Sequence, residues 1–254
     1  MEEFSSNGVR IAYIDERPEN DRGEPILLIH GFASTHAVNW LFPLWVRTLT
    51  GDGRRVIALD NRGHGRSEKL YDPKDYHTSI MADDSRNLLD HLKIERADVM
   101  GYSMGARIGA FLVLTHRERV RSLIMGGLGS HLTEGFGLPV SIAEAMEVES
   151  IEELRDPQQK MFRGFAEATK SDRPALAACI RGSRQVLTPE QIHQIDVPTL
   201  VCVGTRDEVA GDPHPLAEML PNGRAVDIPD RDHNRAVGDR VFKQAALEFL
   251  HERS

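Results

Sequence analysis

Ser103 stands in a Gly-x-Ser-x-Gly pattern, a spacing that places a serine on a sharp turn between a strand and a helix. Residues 101–105 are Gly-Tyr-Ser-Met-Gly, with the apolar pair Val99-Met100 before them and a helix-like stretch, Met104–Thr115, after them. Side chains two positions from the serine would collide with neighbouring elements, which explains the two glycines. The helix start adds partial positive charge and free N–H groups. The pattern predicts that Ser103 is a nucleophile.

A serine hydroxyl is a weak nucleophile at neutral pH and needs a base. His233 is the candidate among the eleven histidines, because it follows the strand predicted over Ala225–Ile228. It therefore belongs at the carboxyl edge of the sheet, the same edge as Ser103, where open α/β sheets place their sites. A surface loop histidine is the alternative interpretation of His233.

A third group must hold the imidazole in one tautomer and stabilise its charged form. Asp207 is the candidate, since it comes just after the strand predicted over Thr199–Val203. Ser103, Asp207 and His233 then follow one another in the chain order that accompanies Gly-x-Ser-x-Gly. The sequence leaves three nearby acids as rivals to Asp207, namely Glu208, Asp212 and Asp230.

Two main-chain N–H groups are candidates for stabilising a developing oxyanion. They belong to Phe32, in the turn after the strand predicted over Ile26–Ile29, and to Met104, the residue after the predicted nucleophile. Each such donor typically contributes roughly 3–4 kcal/mol to transition-state stabilisation. Phe32 can also serve as a core aromatic through its side chain.

Short apolar runs alternate with amphipathic segments, a rhythm that predicts an α/β fold with a mainly parallel sheet. Ile26–Ile29 has no polar residue and is typical of a strand buried on both faces. The other predicted strands are Val56–Leu59, Val99–Met100, Leu123–Met125, Thr199–Val203 and Ala225–Ile228, with a hairpin strand, Val9–Tyr13, at the sheet edge. The predicted helices outside the central region are Trp40–Leu49, Ser79–Leu92, Met104–Thr115 and Val241–Glu252.

The rhythm stops between residues 128 and 188, where no strand is predicted. Four helical pieces are predicted instead: Ile142–Val148, Ile151–Leu154, Gln158–Thr169 and Ala175–Arg184. Because this insertion far exceeds the roughly 10–12 residues that one crossover needs, it favours a cap over ordinary crossover helices. The predicted division is a core of 1–127 and 189–254 with a helical cap of 128–188. Six apolar cap residues either line the pocket or pack the cap: Leu138, Ile142, Met146, Met161, Phe162 and Phe165.

The chain as a whole resembles the α/β-hydrolase superfamily from about Phe4 to Phe249. The motifs that carry the resemblance are His30-Gly31-Phe32, the stretch Asp60–Ser67, residues 101–105, Gly204 with Asp207, and His233. The resemblance implies an eight-stranded, mainly parallel sheet with helices on both faces. It also implies that Asp60–Ser67 is a structural loop, so that neither catalysis nor metal binding is expected of His64.

Composition restricts the other functions open to this chain. The 254 residues include 31 Lys plus Arg and 39 Asp plus Glu, so the formal charge of −8 argues against a nucleic-acid binder. Two separated cysteines are expected to be buried thiols. No apolar run approaches the roughly 18 residues of a membrane span, and no secretory signal is visible, so a cytoplasmic location is expected. The sequence does not indicate an oligomeric state.

A serine nucleophile with histidine and aspartate favours acyl transfer to water, without metal or organic cofactor. Haloalkane dehalogenases and epoxide hydrolases share this layout but use Asp at the elbow, where this chain has Ser103. The expected substrate is a small carboxylic ester or lactone, as for a carboxylesterase. The alternatives are a carbon–carbon bond hydrolase on the same triad and a non-enzymatic small-ligand receptor. Arg107 and Arg181 are either contacts for a substrate carboxylate or ordinary solvated side chains.

Overall fold

Apolar runs form the centre of one sheet in the computed structural model, which describes residues 1–135 and 139–253. Within those residues there are eight strands: β1 (Glu2–Ser6), β2 (Val9–Glu16), β3 (Ile26–Ile29), β4 (Val56–Leu59), β5 (Ala97–Tyr102), β6 (Val120–Gly126), β7 (Thr199–Gly204) and β8 (Gly223–Ile228). Their spatial order is β1-β2-β4-β3-β5-β6-β7-β8. β1 pairs with β2 and β2 with β4 in antiparallel fashion, and all other neighbours are parallel. The predicted mainly parallel α/β sheet is confirmed.

The central strands are buried on both faces, as their unbroken apolar sequence predicts. Along β3, Leu27 and Ile29 enter one hydrophobic cluster, whereas Ile26 and Leu28 enter the other. All four side chains are fully buried. Alternate residues of a strand point to opposite faces, so helices must cover both sides of this sheet.

Helices supply both covering layers. In the described residues they are α1 (Trp45–Gly51), α2 (Thr78–His91), α3 (Met104–Thr115), α4 (His131–Glu134), α5 (Ser141–Glu147), α6 (Pro157–Ala168), α7 (Arg173–Gly182), α8 (Pro189–His193), α9 (Pro213–Met219), α10 (His233–Ala236) and α11 (Arg240–Glu252). Short 3₁₀ turns occur at Pro73–Tyr76, Arg117–Arg119 and Ile151–Glu153. Apolar residues of α2 and α3 enter the first hydrophobic cluster, and those of α1 and α11 enter the second.

The prediction of one helix over Trp40–Leu49 is wrong. A π-helical turn occupies Ala37–Leu41, and α1 begins only at Trp45. Pro43 lies between them, and proline inside a helix lacks the N–H donor and clashes with the preceding turn. Leu44 then adopts a left-handed conformation with φ of 67°, which redirects the chain.

The predicted hairpin strand Val9–Tyr13 exists as β2, but it is not the edge of the sheet. β1 lies outside it, and Phe4 of β1 pairs with Ile11 of β2. β1 alternates exposed residues with buried Phe4 and Ser6, so only two inward side chains mark it. This weak signal explains why the sequence did not predict β1.

Helices α4–α8 occupy the chain between β6 and β7, and no strand occurs there among the described residues. Side chains cap the starts of several of these elements. Ser150 and Glu153 form a reciprocal capping box, and Asp156 accepts a hydrogen bond from the N–H of Gln159 at the start of α6. Thr188 caps α8 in the same way as Ser150 caps its turn. The division into a core and a cap of 128–188 stays a prediction.

Both cysteines are buried and free of a disulfide, as expected from their isolation in the sequence. Cys179 lies on α7 and Cys202 on β7. Burial raises the pKa of the Cys179 thiol to about 12, because a thiolate would lose its hydration there. Both side chains therefore act as small apolar groups.

The longest helix in the described part of the chain is α2, with 14 residues. A transmembrane helix needs about 20 predominantly apolar residues. No helix of residues 1–135 and 139–253 is long and apolar enough to cross a bilayer.

Candidate active site

Ser103 occupies a strained turn between β5 and α3. Its φ of 54° and ψ of −114° lie where few residues with a side chain are found. A Cβ atom on Gly101 would overlap the main chain at Gly105, and one on Gly105 would overlap the carbonyl of Ile29. The flanking glycines are therefore required by close backbone approach, as the sequence predicted.

The structure brings together the three residues that the sequence proposed as a triad. The Ser103 hydroxyl and the Nε2 of His233 are 3.0 Å apart, and the Nδ1 of His233 lies 2.8 Å from the Oδ2 of Asp207. Because a carboxylate can only accept, Nδ1 carries the proton and Nε2 is free to accept from the serine hydroxyl. Ser103 and His233 are 8% and 7% exposed, so the relay is largely shielded from water.

Asp207 is held by its own loop. Its Oδ1 accepts hydrogen bonds from the N–H groups of Val209 and Ala210, at 2.9 and 3.0 Å. Its side chain is fully buried. These bonds leave Oδ2 directed at His233, the geometry that an orienting carboxylate needs.

The rival acids have other partners. Asp212 accepts from the N–H of His214 and caps α9. Asp230 forms an exposed ion pair with Arg206 at 2.6 Å. No hydrogen bond or ion pair joins Glu208 to His233 in the described residues. Of the four acids, Asp207 alone contacts the imidazole.

Tyr102 contacts His233 as well, and the sequence did not predict this. Its hydroxyl donates a buried 2.6 Å hydrogen bond to the main-chain carbonyl of His233. The two rings also pack with centroids 5.5 Å apart. Since the residues are 131 positions apart, no local pattern could have shown this contact. Tyr102 thereby anchors the start of α10, which carries the imidazole.

The sequence proposed the main-chain N–H groups of Phe32 and Met104 as oxyanion donors. Among the described residues, neither main-chain N–H donates a hydrogen bond. The N–H of Met104 is at the first position of α3, where helix N–H groups have no partner within the helix. Both groups are therefore free to meet an oxyanion. The Phe32 ring also packs against Phe162, so its side chain has the core role that the sequence left open.

An apolar pocket of about 200 Å³ opens at Ser103 and His233. Three of the proposed cap residues line it, namely Met161, Phe162 and Phe165. Ile142 and Met146 are instead buried in the hydrophobic core. Leu138 lies outside the described residues. Side chains of α6 therefore line the pocket, whereas side chains of α5 pack into the hydrophobic core.

The Asp60–Ser67 loop forms a buried structural network beside the site. Asp60 accepts from the N–H and the Nδ1 of His36, both at 2.8 Å. His64 is fully buried and donates from Nδ1 to the carbonyl of Arg62 at 2.9 Å. Burial lowers the pKa of His64 to about 3, so it is neutral. In the described chain the Ser103 hydroxyl forms its hydrogen bond with His233 and not with these groups.

The fold of this chain is matched among known proteins. The family model described as alpha/beta hydrolase fold matches residues 24–139. The chain has the α/β-hydrolase fold. A hydrolase structure from Pseudomonas aeruginosa PA01 is similar, with 25% identity, a TM-score of 0.79 and coverage of 98% of this chain and 97% of that one.

Two further relatives show how varied such α/β hydrolases are. The enol-lactonase structure from Burkholderia xenovorans LB400 has 23% identity and a TM-score of 0.78, and covers 99% of this chain and 100% of that one. At that identity the likeness concerns the fold alone. A 2-hydroxymuconate semialdehyde hydrolase of Pseudomonas sp. (strain CF600) is 36% identical over 122 residues, which are 46% of this chain and 42% of that protein. Fold membership therefore leaves the reaction to be argued from the site.

Proposed function

We propose that this α/β hydrolase cleaves a small carboxylic ester or lactone through an acyl-enzyme. The observation that carries the proposal is the relay from Ser103 through His233 to Asp207, with its two hydrogen bonds of 3.0 and 2.8 Å. A serine next to a base, with the base oriented by a third group, is the arrangement that nucleophilic catalysis requires.

In the first half-reaction the Oγ of Ser103 attacks the substrate carbonyl carbon while His233 accepts the hydroxyl proton. The negative charge that develops on the carbonyl oxygen is held by the N–H groups of Phe32 and Met104. The tetrahedral intermediate then collapses, and His233 returns its proton to the leaving alkoxide. Asp207 keeps the imidazole oriented and stabilises its positive charge throughout.

In the second half-reaction a water molecule attacks the acyl-enzyme. His233 accepts a proton from that water, and the Ser103 oxygen leaves as the carbonyl re-forms. Hydrolysis therefore consumes one water and yields a carboxylic acid and an alcohol from an ester, or a single hydroxy acid from a lactone. Since binding sites for drug-sized ligands usually measure about 300–1,000 Å³, the 200 Å³ apolar pocket supports a small substrate.

A serine-reactive fluorophosphonate probe tests the assignment. We expect the wild-type protein to be labelled and Ser103→Ala to be unlabelled and without esterase activity on 4-nitrophenyl butyrate. Ser34→Ala is the matched control, because Ser34 lines the same pocket but makes no contact with His233 in the described residues. Labelling that persists in Ser103→Ala would refute the proposed nucleophile.

A carbon–carbon bond hydrolase on the same residues is the second candidate. The 36% identity to a 2-hydroxymuconate semialdehyde hydrolase favours testing it. Such a semialdehyde contains no ester, so its hydrolysis must break a carbon–carbon bond. Turnover of a vinylogous diketone with negligible turnover of 4-nitrophenyl esters would favour this candidate over the ester hydrolase.

A further inference from the structure

A second cleft, of about 40 Å³, is lined by Ser103 but not by His233. We call it the arginine cleft, because Arg107 and Arg184 line it together with Ser103, Met104 and Ser183. One water molecule needs roughly 10–15 Å³, so the cleft has room for a small polar group. The apolar pocket and the arginine cleft thus give the nucleophile two chemically different sides.

Arg107 is a largely buried arginine whose partners are unusual for this protein. The buried arginines Arg54, Arg62 and Arg163 each form an ion pair with a carboxylate. Arg107 instead donates to the main-chain carbonyls of Gln185 and His131, and no carboxylate of the described residues pairs with it. Burial, and then the like charge of Arg184, lower the pKa of Arg107 to about 10, so it keeps its charge at neutral pH.

The second cation comes from Arg184, which is exposed and has no ion-pair partner among the described residues. Arg181, on α7, was the other sequence candidate for a carboxylate contact besides Arg107. It forms a two-bond surface ion pair with Glu147, at 2.5 and 2.7 Å, and does not line the cleft. Two arginines line this small cleft, and no carboxylate of the described residues lines it. Such a cleft is suited to an anion, because guanidinium and carboxylate match in geometry.

His233 determines which part of the substrate reaches this cleft. It lines the apolar pocket and not the arginine cleft. Because His233 hands its proton to the leaving oxygen, the alcohol must lie on the apolar side. The acyl group then extends toward Arg107, which lies four residues after Ser103 and so about one helical turn away.

We propose that the arginine cleft binds a carboxylate on the acyl side of the substrate. The substrate is then a monoester of a short dicarboxylic acid, or a lactone whose acyl chain bears a carboxylate. This inference rests on the proposed ester or lactone hydrolysis. It favours, for Arg107, the carboxylate contact that the sequence left open. It adds no step to the reaction, whose products become a dicarboxylate and an alcohol from a monoester, or one hydroxy dicarboxylate from a lactone.

The test compares monobenzyl glutarate with benzyl pentanoate, two esters of similar length that differ in one carboxylate. Benzyl alcohol release gives kcat/KM for each. We expect the wild type to prefer monobenzyl glutarate, and Arg184→Gln to lower the ratio of the two kcat/KM values about tenfold, as for loss of one charge-assisted hydrogen bond. Arg184 is chosen because Arg107 also supports two main-chain carbonyls, so its removal risks unfolding.

Arg181→Gln is the matched control, since it removes the same charge three residues away and should leave the ratio unchanged. Equal ratios in the wild type, Arg184→Gln and Arg181→Gln, with Ser103-dependent hydrolysis of benzyl pentanoate, would overturn the arginine cleft and leave the proposed function intact. Failure to cleave monobenzyl glutarate while the phosphonate labels Ser103 would overturn it too. Absence of both labelling and hydrolysis would instead refute the proposed function.

Discussion

Mild acid should destabilise this protein through two buried histidines. The Nδ1 of His30 donates to the carbonyl of Gly31, and its Nε2 accepts from the N–H of Asn61. The Nε2 of His64 has no partner among the described residues. If His30 took a second proton, its Nε2–H would face the N–H of Asn61, which is also a donor. If His64 took one, its buried Nε2–H would have no acceptor among the described residues. Burial accordingly lowers the pKa of His30 to about 4 and that of His64 to about 3.

The size of the effect follows from proton linkage. Both histidines have a pKa near 6.5 in the unfolded chain and stay neutral when folded. As the pH falls below 6.5 the unfolded state binds protons that the folded state does not, so stability is lost with acid. Between pH 7.5 and 5.5 each histidine should remove about 1.4 kcal/mol, or about 2.7 kcal/mol together. The result is insensitive to the folded pKa as long as that stays below about 4.5.

Urea unfolding followed by fluorescence of the buried Trp40 and Trp45 measures this loss. The variant His64→Gln keeps a donor for the carbonyl of Arg62 but does not titrate. We expect it to lose about 1.4 kcal/mol less than the wild type over the same pH range. The test compares the pH dependence of the free energy of unfolding between the two proteins. Asp227 raises the pKa of His214, so His214 adds stability as the pH falls, but it does so equally in both proteins and cancels.

Equal pH dependence in wild type and His64→Gln would refute the reasoning. It would mean that His64 binds a proton equally well in the folded and unfolded states. A variant that is simply less stable at both pH values, by the same amount, would refute it equally, since only the slope with pH reports protonation.

Three other predictions concern the elbow and the relay. Gly105→Ala should lower the free energy of unfolding by about 3 kcal/mol or more, because its Cβ would overlap the carbonyl of Ile29; a loss below about 1 kcal/mol in urea would contradict this. Tyr102→Phe should keep phosphonate labelling but lose about 1–3 kcal/mol of stability, since the carbonyl of His233 loses its buried donor. Asp207→Asn should reduce kcat by about 10⁴-fold in steady-state assays, and a loss under tenfold would exclude it as the orienting acid.

Much of the fold is local in origin and could be predicted from the sequence. Ile26–Ile29 and Val56–Leu59 are strands with the predicted bounds, because an unbroken apolar run of four suits a strand covered on both faces. α3 has its predicted bounds for a similar reason, since the elbow glycines mark its start. Where a local signal was weak or interrupted, as at β1 or at Pro43, the prediction failed.

The sequence by itself determined which candidate catalytic groups the chain has: a serine on a strained turn, and a histidine and several acids after later strands. What only the tertiary structure decided is which of these groups meet. Asp207 contacts His233 because its loop N–H groups turn one oxygen toward the imidazole, whereas Asp212 and Asp230 are held by other partners. Arg184 rather than Arg181 lines a cleft together with Ser103, although only three positions separate them in the chain. Such choices depend on contacts between distant segments, and local propensity carries no information about them.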